Sequence, residues 1–213
     1  MDTCVIVANG PSLADVPNEW LHKYTTFAAN RVYLKEGFNP TYLSILDPIM
    51  TATEELRQDV WPMMNEVDEC YLSQDSAMTF RDIPDNTTVL PCIRVKNGQG
   101  MTWLTFSKDP TIATIVGHTV TYAMMQVAVW KGFKRLLCVG LDHNFGRSEG
   151  DHFSVDYNKP DLNYDQVWVN WYKIVRVYYG IARGYVESIG GEIINCTPKT
   201  DLDVFSIDTW ENW

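Results

Sequence analysis

Cys4-Val5-Ile6-Val7-Ala8, followed at once by Asn9-Gly10-Pro11-Ser12-Leu13, is the stretch that decides the fold. A short apolar run this close to the N-terminus reads as a strand buried on both faces, the pattern of a parallel sheet. The turn after it is sharp and polar, with a glycine, a proline at a position suited to opening a helix, and a serine with a free hydroxyl. In open α/β sheets the loop leaving the carboxyl end of the first strand is where phosphates and nucleotides dock, because backbone N–H groups converge there. The G-x-G-x-x-G dinucleotide fingerprint is absent, and no Gly-Lys-Ser/Thr follows to make a P-loop. An ordinary strand-to-helix turn has the same composition, so the turn alone leaves both readings open.

Working outward, strand and helix patterns alternate. Strands are expected at Thr3–Ala8, Thr25–Ala29, Tyr42–Leu46, Glu69–Leu72, Thr88–Leu90, Leu136–Val139 and Glu192–Asn195. Helices are expected at about Thr51–Asn65, Thr119–Lys131 and Asn163–Ile189. Gly132 stops the second of these and hands over to a buried strand, which suits a parallel crossover. The long helix carries apolar residues at Val167, Trp168, Trp171, Ile174, Val175, Tyr178, Ile181, Ala182, Tyr185, Val186 and Ile189, one wide face whose aromatics read as core. Together these predict a single Rossmann-like α/β domain over residues 1–213, with a mainly parallel sheet flanked by helices. Lys96-Asn97-Gly98-Gln99-Gly100 and Ser107-Lys108-Asp109-Pro110 mark a flap at about 92–110.

The composition narrows the function. A formal net charge of -10 argues against nucleic acid and against anionic lipid as partners. A negatively charged ligand must then be held by local N–H groups and a few side chains, against the overall field. The five cysteines (Cys4, Cys70, Cys92, Cys138, Cys196) show no C-x-x-C pair and read as small buried hydrophobes in a reducing compartment. With no signal peptide or transmembrane pattern, a cytoplasmic protein is expected. Trp210 and Trp213 in the tail point to a packing partner, either the chain's own core or a second subunit of a homo-oligomer.

In a doubly wound sheet, function sits at the carboxyl ends of the strands. Those ends carry Asn9-Gly10-Pro11-Ser12, Asn30-Arg31, Asp47-Pro48, Gly140-Leu141-Asp142-His143-Asn144 and Cys196-Thr197-Pro198. Amides and hydroxyls can hold a nucleotide through neutral donors and acceptors, as an acidic surface requires. Gly117-His118-Thr119 opens a helix there, where capping hydroxyls and the positive helix end serve either a ligand or simple capping. His143 and His152 are candidate general bases, since an imidazole titrates near working pH. Asp142, His143 and His152 are reasonable zinc ligand types, but their spacing matches no metal motif and no metal is expected. No G-x-S-x-G elbow and no Cys/His nucleophile pair points to acyl transfer.

Val5 to Leu13, with Phe27-Ala28-Ala29-Asn30-Arg31, resembles the bacterial sialyltransferases of glycosyltransferase family 42. Gln126-Val127-Ala128 through Gly132-Phe133-Lys134 to Val139-Gly140-Leu141-Asp142 looks like their second signature. His152, with Ser154 and Tyr157 behind it, sits where that family keeps its catalytic histidine, ahead of a long helix. Over nearly its whole length the chain is similar to a broader set, the 6-hydroxymethylpterin diphosphokinase MptE-like proteins. The matching residues are Gly140-Leu141-Asp142-His143, His152-Phe153, and Asn195-Cys196-Thr197-Pro198 through Leu202-Asp203-Val204-Phe205.

The resemblance implies a sialyltransferase-like fold that binds a nucleotide-activated sugar, a cytidine monophosphate sugar above all, and transfers the sugar with inversion to a glycan or small-molecule acceptor. His152 is then the base, with His143 the second candidate. The nucleotide site would draw on Asn9, Gly10, Pro11, Ser12, Asn30, Asp47, Gly117, Thr119, Gly140 and Asp142, with no cofactor required. Two features depart from the sialyltransferases and bear on the donor: the interval from Asp142 to His152 is short and lacks tyrosine, and Asp47 stands where they commonly have asparagine. One alternative is diphosphate transfer from ATP to a hydroxymethylpterin, with Mg held by Asp47, Asp142 and Asp109. Another is nucleotide binding without catalysis.

Overall fold

The structure is a computed structural model that describes residues 1–94, 105–144, 152–157 and 168–213, with backbone alone for 168–172. The chain opens with β1 (Thr3–Val7), a 3₁₀ turn (Pro11–Asp15), α1 (Asn18–Leu21) and β2 (Thr25–Ala29). Next come β3 (Tyr42–Ile45), α2 (Glu54–Glu66), β4 (Glu69–Ser73), α3 (Gln74–Ala77), β5 (Thr87–Leu90), and the two-residue strands β6 (Cys92–Ile93) and β7 (Thr114–Ile115). The last third holds α4 (Val120–Trp130), β8 (Arg135–Val139), α5 (Trp168–Ser188), β9 (Glu192–Asn195) and β10 (Ser206–Ile207).

Eight strands form one sheet in the order β10-β9-β8-β1-β2-β3-β4-β5, every pairing parallel. β6, at the start of the stretch expected to form a flap, pairs apart from the sheet with β7, which lies beyond that stretch; residues 95–104 lie outside the described residues. The start of the long helix before Trp168 lies outside them as well.

The strands are apolar without alternation because both faces are covered. Cys4 and Ile6 face a core shared with α4 and α5, whereas Val5 and Val7 face one built on Leu13, Trp20, Val32 and Met64. All four are fully buried. α4 is buried from Thr121 to Ala128, since it packs against both the sheet and α5 and so keeps no polar face. It ends as the sequence predicts: Gly132 takes φ 98°, and the Gly132 and Phe133 N–H groups bond back to Val129 and Ala128.

The buried stripe of α5 is Val175, Tyr178, Tyr179, Ala182 and Val186, narrower than expected; Ile174 is turned outward and Tyr179 inward. Val167 lies outside the described residues, as do the side chains of Trp168 and Trp171. Trp210 and Trp213 pack on the chain's own core, Trp210 edge-on to Trp20 at 6.1 Å. Among the described residues no helix is long and apolar enough to cross a membrane.

From β1 the chain lays strands outward to β5, then returns to place β8 on the other flank of β1. The reversal makes β1/β8 the topological switch point, where the connections leave in opposite directions and a crevice opens at the carboxyl ends of the strands.

Candidate functional site

That crevice is a cleft of about 410 Å³. It is walled by Asn9 and Gly10 after β1, Asn30 after β2, Asp47 and Met50 after β3, His118 to Thr121 at the start of α4, Gly140 to Asn144 after β8, and His152 and Tyr157. A second depression of about 570 Å³ lies over the outer side of residues 153–155, but it is open to solvent and away from the switch point. The cleft has the position and the convergent polar groups expected of a ligand site.

Most of the sequence-expected residues meet at the cleft: Asn9, Gly10, Asn30, Asp47, Thr119, Gly140, Asp142, His143 and His152. Pro11, Ser12 and Gly117 are not in its wall. Pro11 opens the 3₁₀ turn. Ser12 does not offer a free hydroxyl: it donates to Asp142 Oδ2 at 2.8 Å, and its backbone N–H also points at that carboxylate, at 3.2 Å. Asp142 thus staples the β1 turn to the β8 turn. Burial raises its carboxyl above the ordinary range, and the bonds from Ser12 hold the shift back.

The two turns touch backbone to backbone, with Gly10 N–H on the Gly140 carbonyl at 2.8 Å. A Cβ on Gly10 would sit 2.5 Å from that carbonyl oxygen and 2.1 Å from Asp142 Oδ2. Gly140 has φ 65°, and its Cβ would meet the Ala8 carbonyl at 2.4 Å. Glycine at both places lets the turns close.

The end of β9 serves the same purpose and holds no ligand position. Asn195 and Thr197 are buried; the Asn195 amide donates to the Leu141 carbonyl, and the Leu141 N–H donates to the Thr197 hydroxyl at 3.0 Å. The Thr200 hydroxyl donates to the Leu141 carbonyl at 2.8 Å. The Asn-Cys-Thr-Pro motif is therefore a buckle for Gly140–His143.

Two acceptors in the cleft await a donor. The Asn9 amide nitrogen donates to the Ala29 carbonyl at 3.1 Å, which fixes the amide orientation and leaves Oδ1 buried with no partner. Asn30 Oδ1 is likewise buried without a partner. Unmet buried acceptors are costly, so they mark places where a ligand N–H or O–H fits. Asn30, His118 and His143 all have left-handed backbones, φ 54°, 62° and 54°, and all three line the cleft. Such conformations cost about 1–3 kcal/mol each and gather where function needs them.

The imidazoles differ in setting. His143 is nearly buried, with its ring edge-on to Tyr179 at 6.3 Å. His118 lies 6.2 Å from Tyr178, and burial lowers its pKa so that the neutral ring is favoured. His152 stacks on Tyr157 with ring centroids 3.8 Å apart. Phe153 N–H donates to the Asn9 carbonyl at 3.1 Å, which ties the His152 loop to the β1 turn.

Sequence reading missed Arg94 and Tyr179 in the wall. Tyr179 was signalled by the 4-3-4 spacing of Val175, Tyr179, Ala182 and Val186. Nothing in the sequence marked Arg94, which reaches the cleft by donating to the Leu46 carbonyl and lies 3.6 Å from Asp75.

The profile of the family described as 6-hydroxymethylpterin diphosphokinase MptE-like matches residues 1–148. The chain belongs to that family. The matched span runs from β1 through the Gly140-Leu141-Asp142-His143 turn and so includes both halves of the switch point. No curated protein matches the MptE-like chain. Its structure is similar to the crystal structure of the monofunctional alpha-2,3-sialyltransferase Cst-I from Campylobacter jejuni, with a TM-score of 0.61 and 13% identity. The match covers 100% of this chain and 82% of that one, and at such identity it establishes a shared fold.

Proposed function

We propose that the cleft binds a nucleotide-activated sugar, with a cytidine monophosphate sugar as the first candidate, and that His152 is the base for its transfer to an acceptor hydroxyl. The observation that carries this is the meeting, in one cleft, of His152 with the partnerless amide oxygens of Asn9 and Asn30. The acceptor O–H gives its proton to the imidazole, and its oxygen forms the new bond to the anomeric carbon. The bond from that carbon to the phosphate oxygen breaks, and its electron pair leaves with the phosphate. The configuration at the carbon inverts. Asn9 and Asn30 accept from nucleobase or sugar donors, and the positive end of α4 at Thr119–Thr121 favours the charge growing on the phosphate. The reaction so written requires no metal, and the acceptor is a glycan or small-molecule hydroxyl.

The family's description favours a second reading, diphosphate transfer from ATP to a hydroxymethylpterin. Magnesium would be its partner, and the carboxylates fit that ion poorly. Asp142 is engaged by Ser12, Asp47 Oδ1 caps the Ile49 N–H, and Asp109 Oδ1 is taken by Thr111. Among the described residues no three His, Cys, Asp or Glu side chains gather into a metal-holding group.

Thermal melts with CMP, CMP-sialic acid, UDP-sugars, GDP-sugars and ATP, each with and without magnesium, test the proposal. A ligand at about 100 times its Kd adds roughly 2.7 kcal/mol, a rise of roughly 5–11 °C for a chain of this size. Stabilisation by a cytidine or other sugar nucleotide without magnesium is expected. Stabilisation by ATP only with magnesium overturns it in favour of the second reading. Nucleotide binding with no transfer to any hydroxyl acceptor overturns the catalytic part.

A further inference from the structure

Arg31 follows the cleft residue Asn30 directly, yet it is not part of the cleft wall. Its side chain is 3% exposed. One guanidinium nitrogen donates to the main-chain oxygens of Asp156, at 2.6 Å, and Tyr157; Nε donates to the Tyr33 hydroxyl at 2.9 Å. The cation also lies 5.8 Å from the Tyr157 ring centroid and 5.7 Å from that of Tyr33. Taking a guanidinium out of water is unfavourable, and an apolar residue would fill the space at less cost. What an apolar residue lacks is a rigid set of donors able to grip two successive carbonyls.

The gripped segment is the one that carries His152. Tyr157 is 2% exposed and stacks on the His152 ring, 3.8 Å between centroids and 23° from parallel. The loop is therefore pinned twice, by Phe153 N–H on the Asn9 carbonyl and by Arg31 on Asp156 and Tyr157. Both pins adjoin the ligand wall. Asn9 lines the cleft while its carbonyl holds the loop. Asn30 lines the cleft while its neighbour holds the loop's far end.

We infer that Arg31 is a positioning residue that fixes the His152 imidazole over the cleft by clamping Tyr157, an inference that rests on His152 being the base. Arg31 is absent from the cleft wall and touches no reacting atom, so its loss acts on turnover and leaves donor binding in place. A misplacement of about 1 Å at a reacting group costs on the order of 100-fold in rate.

The test uses Arg31→Met and Arg31→Lys in the full chain, checked for folding by thermal melts. Histidine-labelled NMR follows His152, identified by the signal lost in His152→Gln. In Arg31→Met the His152 signal is expected to lose the displacement caused by the Tyr157 ring and to titrate differently. CMP binding stays within about twofold, and turnover falls on the order of 100-fold. Arg31→Lys, which keeps a cation near the carbonyls, recovers part of both. An unchanged His152 signal and titration in folded Arg31→Met overturns the inference. If Arg31→Met does not fold, Tyr157→Leu removes the stacked ring and leaves the guanidinium, and an unchanged His152 signal there overturns it equally. Turnover that survives His152→Ala refutes the base assignment instead, while the NMR result still decides whether Arg31 positions the ring.

Discussion

Gly10→Ala probes the contact on which the cleft is built. The added Cβ lands 2.5 Å from the Gly140 carbonyl oxygen, a backbone atom that cannot rotate away, and 2.1 Å from Asp142 Oδ2. The β1 turn must back off from the β8 turn, which stretches the 2.8 Å Gly10–Gly140 hydrogen bond. Overpacking strain of about 1–3 kcal/mol and one lost bond of about 1 kcal/mol give a loss of about 2–4 kcal/mol. Urea unfolding followed by circular dichroism reads this as a midpoint lower by roughly 1–2 M, at a slope of about 2–3 kcal/mol/M. Gly180→Ala is the control. Gly180 lies exposed on α5 with nothing within 4 Å of its Cβ position, so alanine should raise stability by about 0.5–1 kcal/mol through helix propensity. A Gly10→Ala protein as stable as the wild type, with Gly180→Ala behaving as expected, would refute the close approach and the cleft geometry derived from it.

His152→Ala should abolish turnover while the thermal shift with CMP persists; loss of both together would assign His152 to binding. For Asp142, burial holds the folded pKa above the unfolded value of 3.8, so the folded state keeps a proton that the unfolded chain has shed. The group's contribution to stability therefore falls as pH rises from about 3.8 through the raised value. Urea midpoints of wild type relative to Asp142→Asn between pH 3 and 7 should show that fall, and a constant difference contradicts the shift. Gln126 is fully buried; its oxygen accepts from Ser107 and Ile115 N–H, and its nitrogen donates to Ile115 and Tyr122 carbonyls. Gln126→Met should cost about 2–5 kcal/mol and speed amide exchange at Ser107 and Ile115, whose N–H groups lose their acceptor; unaltered exchange there sinks the idea.

The sheet was legible because strands covered on both faces must be apolar throughout, and β2 and β9 fall on their expected limits, Thr25–Ala29 and Glu192–Asn195. β6, β7 and β10 were not, since two residues carry no periodicity. The cleft was legible in outline because a doubly wound topology brings strand ends together whatever their spacing in sequence. Its internal wiring was not. Ser12 and Asp142 are 130 positions apart, and nothing local to either says that the serine hydroxyl is already taken. Thr197 likewise looks like a ligand residue from sequence and, with Asn195, proves to be a fastener, a difference that only burial reveals. The loop that holds His152 was expected beside the functional edge of the sheet; among the described residues its anchors Arg31 and the Asn9 carbonyl are long-range contacts.

The parallel pairing of Val5 with Thr26 on one side and Leu137 on the other has a consequence for the order in which the chain takes shape. On a ribosome β1 to β5 can assemble as a partial sheet, yet the inner flank of β1 stays open until the chain has grown from Leu90, the end of β5, to Arg135, the start of β8. During that interval a fully apolar strand offers bare N–H and C=O groups to any neighbour, a template for intermolecular pairing. The late arrival of β8 closes that edge and seats the β8 turn against the β1 turn in the same step, and it passes the open edge to β8 itself until β9 is made.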